Sequence, residues 1–217
     1  MKLDLDIHHY FEFLGLLAAI LFRKQLRGSF MILFVPYLAL NLLLELLSNF
    51  LYNSYHFSSF WLTEASNLLS LGFYSYIILK LLHNNKHHQI LIGSLAIYLI
   101  SLVISIILFG LNPTVFKYSL VGAAFLLIIA SGLVFYQNLL MEDLHQPAQM
   151  LSGLYIAAGV LIFNAGISIV IFSIPYILKY KLTLMGNPLY NTIPRLLCMV
   201  LYPCIIISLY KWRTPVK

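Results

Sequence analysis

Seven stretches of about twenty mostly apolar residues, parted by short polar breaks, run the length of this sequence. A helix that crosses a bilayer needs roughly 20 such residues, so this pattern constrains the fold more than any motif does. The stretches cover residues 5–22, 30–52, 61–82, 90–109, 118–140, 149–176 and 192–210. They predict an all-α, polytopic integral membrane protein: one domain over residues 1–217, a bundle of seven transmembrane helices. Composition agrees. Of 217 residues, 61% are hydrophobic and 9% charged, where soluble domains are about a quarter charged. With a mean hydropathy of +0.91, a chain this short has too little polar surface to cover itself. The lipid bilayer is the expected partner, and the plasma (inner) membrane the expected location. No basic region followed by an apolar core and a small-residue cleavage site opens the chain, so no cleaved signal is expected.

The net charge of +6 is not a nucleic-acid signal, because the Lys and Arg residues lie mostly in short breaks and at helix ends. There they set orientation. Arg23, Lys24, Arg27, Lys80, Lys86, Lys211, Arg213 and Lys217 fall on one side, and Lys2, Lys117, Lys179, Lys181 and Arg195 on the other. Eight against five predicts the N-terminus outside and the C-terminus in the cytoplasm.

Within the apolar stretches a few polar residues stand out. Asn41, Glu45 and Asn49 are each four residues apart in the second span, so they stack along one helix face. An ionisable residue at such depth is costly and points to a functional site. Glu12 lies in the more polar outer half of the first span, Glu64 and Asn67 near the start of the third, and Arg195 one turn into the seventh. These residues share the outer half of the bilayer, with Asn164 of the sixth span near its middle. A pocket shared by five spans and open to the outside is the economical way to keep so many polar groups from lipid. Glu45 is its expected centre, with Asn41 and Asn49 as hydrogen-bond partners. Three carboxyls facing one Arg are not all comfortably charged in a low dielectric. Blander roles compete: Glu64 at headgroup level, Glu12 facing water, and Arg195 snorkelling to the outer headgroups.

His8, His9 and Glu12, with His56 from the neighbouring break, form the weak metal candidate. Adjacent histidines diverge by about 100° on a helix, so no metal is expected. His83, Lys86, His87 and His88 read as a solvated loop. No cofactor is expected either. There is no Gly-x-Ser-x-Gly elbow or phosphate-cradling glycine loop, which weighs against an enzyme. Cys198 and Cys204 lie on one predicted helix and read as packing groups. Small residues in the fifth span (Gly122, Ala123, Ala124, Ala130, Gly132) and the sixth (Gly153, Ala157, Gly159, Gly166) predict close packing of those two helices. Pro36, Pro175 and Pro203 predict interruptions in spans two, six and seven.

The favoured expectation is a small-solute transporter coupled to protons or cations. Next comes a small-ligand sensor or receptor acting through a partner protein, and then an intramembrane enzyme acting on lipid. Oligomeric state is open.

Overall fold

The computed structural model describes residues 7–55, 60–110, 112–140, 148–184 and 187–213. Eight α-helices are found among these residues: α1 (Ile7–Leu21), α2 (Arg23–Leu26), α3 (Phe34–Tyr55), α4 (Phe60–Leu81), α5 (Asn85–Phe109), α6 (Pro113–Leu139), α7 (Ala148–Lys179) and α8 (Leu189–Arg213). The predicted spans correspond to all of them except α2, a single turn that carries the basic break after α1. Five segments are long and apolar enough to cross a membrane: Phe30–Leu51, Asn85–Phe109, Thr114–Leu139, Met150–Lys179 and Leu189–Trp212. That is consistent with an integral membrane protein. Helix α1 is shorter, and α4 is diluted by Thr63, Glu64, Ser66, Asn67, Ser70 and Ser75.

Helices α1, α3, α4, α6, α7 and α8 form a closed ring in which each packs on the next, and α5 lies outside, mainly against α6. The outer surface of the bundle is rich in exposed apolar side chains. On α1 the buried stripe is His9, Glu12, Gly15, Ala18 and Ala19, whereas Phe13, Leu17 and Ile20 are exposed. On α5 only Leu91, Tyr98 and Leu102 are buried, and its outer face is a run of exposed Ile, Leu and Val. Apolar side chains outward and polar ones inward is the arrangement a bilayer favours.

Several local expectations change. Helix α5 begins at Asn85, capped by the Asn84 side chain on Lys86 N–H, so Lys86, His87 and His88 lie on a helix rather than in a loop. His83 bonds Gln137 of α6 through both its backbone N–H and its Nδ1, and His88 Nε2 lies 2.8 Å from the Leu82 carbonyl. Pro36 falls in the first turn of α3, after a 3₁₀ turn at Phe30–Leu33, where its missing N–H costs nothing. Asn112 caps α6 and Pro113 is its first residue. Helix α7 ends with Lys181 in the left-handed region (φ 48°) and Leu182 N–H on the Ile177 carbonyl, a Schellman-type stop. A two-stranded antiparallel pairing, Thr183–Leu184 with Asn187–Pro188, then leads into α8, a small exception to the all-α expectation.

Helices α6 and α7 do pack together, as their small residues predicted, but the α7 glycines face elsewhere. A Cβ at Gly159 would stand 2.9 Å from Cys204 Cβ, and one at Gly166 would stand 2.5 Å from Leu197 Cδ1, both on α8. Gly153 faces Leu81 of α4. The closest seam in the ring is therefore α7–α8.

Candidate functional site

Tyr202 of α8 and Gly15 of α1 explain how the site is held together. A Cβ on Gly15 would lie 3.3 Å from the Tyr202 ring, so glycine lets that ring press against α1. From there the Tyr202 hydroxyl reaches up one turn and donates to Glu12 Oε1 at 2.9 Å. The same oxygen accepts from Asn41 Nδ2 of α3 at 2.6 Å. Asn41 Oδ1 in turn accepts from Ser66 Oγ of α4 at 2.6 Å. Four helices are thus joined through one carboxyl and one amide, and Glu12 is 0% exposed.

Glu45 sits one turn above Asn41 and shares its amide, at 3.3 Å from Nδ2. Glu12 Oε2 is buried with no hydrogen-bond partner among the described residues, and the Asn41 amide links the Glu12 carboxyl to that of Glu45. Above them, Glu45 Oε2 lies 3.8 Å from His8 Nε2 and 4.0 Å from His9 Nε2. The His9 Nε2 is also 3.0 Å from Asn49 Nδ2. The two imidazoles lie side by side with centroids 4.0 Å apart.

These groups border a pocket of about 310 Å³, at the lower end of the range for small-molecule sites. Its walls are His8 and His9 of α1, Glu45, Ser48 and Asn49 of α3, Thr63, Ser66 and Asn67 of α4, and Pro194, Arg195 and Cys198 of α8. Beneath Glu12 lies an aromatic floor. Tyr37 stacks on Phe73 at 3.8 Å, meets Tyr74 edge-on, and bonds Ser70 Oγ at 3.0 Å. Tyr37, Tyr74 and Tyr202 are all buried.

The site therefore gathers Glu45, Asn41, Asn49, Glu12, Asn67 and Arg195, with His8 and His9 beside them. His56 lies outside the described residues. Two expected residues stand apart. Asn164 donates to the Val160 carbonyl of its own helix and its backbone carbonyl accepts from Ser168, so α7 adds nothing to the pocket. Glu64 is half-buried on a neighbouring face of α4, beside Asn67 and toward Tyr98 of α5.

Tyr202, Ser66, Thr63, Ser48 and Cys198 complete the site and are missing from the sequence expectation. A signal existed on α8: Arg195, Cys198 and Tyr202 fall at i, i+3 and i+7, one helical stripe. On α4, Thr63, Ser66 and Ser70 repeat that spacing, whereas Glu64 falls off it. The two cysteines also part company. Cys198 faces the pocket and Cys204 packs against Gly159. Comparisons with family models, with curated proteins and with solved structures return no match for this chain.

Proposed function

We propose that the protein moves a small polar solute across a membrane in exchange or symport with protons or cations, with Glu45 as the proton-binding residue. One observation carries this reading: two carboxyls share the Asn41 amide at the base of a pocket whose walls come from four helices. A proton on Glu45 gained or lost according to what else occupies the pocket is the physical basis of coupling. Arg195 on the opposite wall suits a solute carrying a negative group. In this proposal all seven long helices span the plasma membrane, with the N-terminus outside, the C-terminus in the cytoplasm and the pocket opening outward. The inside-out burial of α1 supports a spanning role despite its length, since its apolar face is turned away from the ring.

The test is uptake of a panel of labelled amino acids, organic acids and sugars into proteoliposomes, with and without an imposed pH gradient. The expected result is gradient-driven uptake of one class, lost in Glu45→Gln. Uptake indifferent to both the gradient and that substitution would sink the proposal. The buried floor of Tyr37, Tyr74 and Tyr202 favours one second reading, a receptor that binds its ligand from one side only. Saturable binding without flux would move the conclusion there.

A further inference from the structure

We propose that His8, His9 and Glu45 form a binding site for a single divalent transition-metal ion of the zinc class. This goes beyond the transport reading: proton coupling needs no metal here, and metal binding needs no transport.

The first ground is geometry. One ligand atom from each of the three residues lies within 4.8 Å of the others, with the two histidine Nε2 atoms 3.8 and 4.0 Å from Glu45 Oε2. Around a tetrahedral zinc ion with bonds of about 2.0–2.1 Å, ligand atoms stand roughly 3.3 Å apart. Small side-chain rotations would close that difference. The divergence expected of adjacent histidines is overcome because both rings turn toward α3, leaving their centroids 4.0 Å apart.

The second ground is ligand chemistry. Two imidazoles and one carboxylate suit zinc, nickel or copper, whereas calcium and magnesium favour all-oxygen sites. His9 Nε2 lies 3.0 Å from Asn49 Nδ2, so its lone pair accepts from that amide, and the Asn49 side chain must turn away for His9 to bind a metal. Three protein ligands leave a fourth position that faces the pocket, open to water or to a group of a bound molecule.

The third ground is charge. Glu45 brings a carboxyl to the pocket wall, while Glu12 lies buried beside the Asn41 amide that the two share. A divalent ion at His8–His9–Glu45 would balance the Glu45 carboxylate directly.

The test uses the detergent-purified protein with any affinity tag removed and bound metal stripped by chelation. Zn²⁺ is titrated by calorimetry and Co²⁺ by visible spectroscopy, which reports the symmetry of the ligand set. One high-affinity ion per chain is expected, with the intense bands of tetrahedral Co²⁺. His8→Gln and Glu45→Gln should each weaken Zn²⁺ affinity about tenfold or more and abolish those bands, while Ser94→Ala, on an exposed face of α5, should leave both unchanged. Wild-type protein that binds no Zn²⁺, or His8→Gln protein that binds it as tightly as wild type, overturns the proposal. His8 stands in the first turn of α1, outside the Glu12–Asn41–Tyr202 hydrogen bonds that join the helices, so its substitution decides the matter even if Glu45→Gln fails to fold. Failure here leaves gradient-driven uptake unaffected, and failure of uptake leaves the Co²⁺ spectrum unaffected.

Discussion

Helix α8 presents one face to α7 and another to α1, and the two contacts are built on opposite principles. Toward α7 it is small and close. Gly159 lies against Cys204 and Gly166 against Leu197, and at the opposite end of the bundle from the pocket Ser152 Oγ donates to the Ser208 carbonyl at 2.8 Å. Toward α1 it presents Arg195, Cys198 and Tyr202, and the close approach on that side is at Gly15. In lipid there is no hydrophobic drive to join helices, so the first contact depends on van der Waals fit and the second on hydrogen bonds. The comparison teaches where rigidity and space are divided: the seam holds α8 in place so that its other face can border a cavity.

The largest effect expected from breaking this contrast is at the seam. Gly159→Leu should cost about 3 kcal/mol or more, because the new side chain meets Cys204 Cβ, an atom fixed to backbone, and the helices must part. Gly166→Ala should cost less, since it meets the end of a flexible Leu197 side chain. A Cβ on Gly132 of α6 would meet nothing within 4 Å, so Gly132→Ala should be neutral or stabilise by up to about 1 kcal/mol through helix propensity. Thermal unfolding in detergent ranks the three. A tolerated Gly159→Leu would mean that α7 and α8 are not held by close fit.

The polar face should respond next, and according to hydrogen-bonding capacity rather than size. Glu12→Ala leaves both Asn41 Nδ2 and the Tyr202 hydroxyl short of an acceptor, at a cost of about 2–3 kcal/mol. Glu12→Gln keeps an acceptor oxygen and should cost about 1 kcal/mol or less. The pattern to look for is a Glu12→Gln protein nearly as stable as wild type beside a clearly destabilised Glu12→Ala protein. Equal destabilisation by Ala and Gln would show that the carboxyl, not its hydrogen bonds, holds the four helices together.

The smallest effects are expected outside both contacts. Asn164→Leu replaces an amide whose bond is to a carbonyl of its own helix and should change stability by no more than about 1 kcal/mol. Glu64→Gln, off the pocket face of α4, should leave gradient-driven uptake within about twofold of wild type. A strong loss of uptake in the first would extend the site to α7, and in the second to another face of α4.

Much of this site was legible before any tertiary contact was known. The stripe of Asn41, Glu45 and Asn49 does face the interior, and Glu12, Asn67 and Arg195 do join it. Four-residue spacing is enough to place side chains on one helix face. Asn164 and Glu64 stand apart from the pocket because depth along a helix was readable in the sequence, but direction around its axis was not. The same gap hid Tyr202 and Ser66, which bond directly to Glu12 and Asn41.

By itself, then, the sequence determines the helical class, the apolar segments able to cross a bilayer, and which polar residues share a face within each helix. These are local properties, set by the hydrophobic pattern and by the 1.5 Å rise and 3.6-residue turn of one helix. Tertiary structure alone decides that α7 turns its glycines to α8 rather than α6, that two adjacent histidines converge on Glu45, and that Glu12 rather than Glu45 is the more deeply buried acid. Those outcomes depend on how six helices rotate against one another to close a ring. No single helix carries that information, because each rotation is settled by the fit of its neighbours.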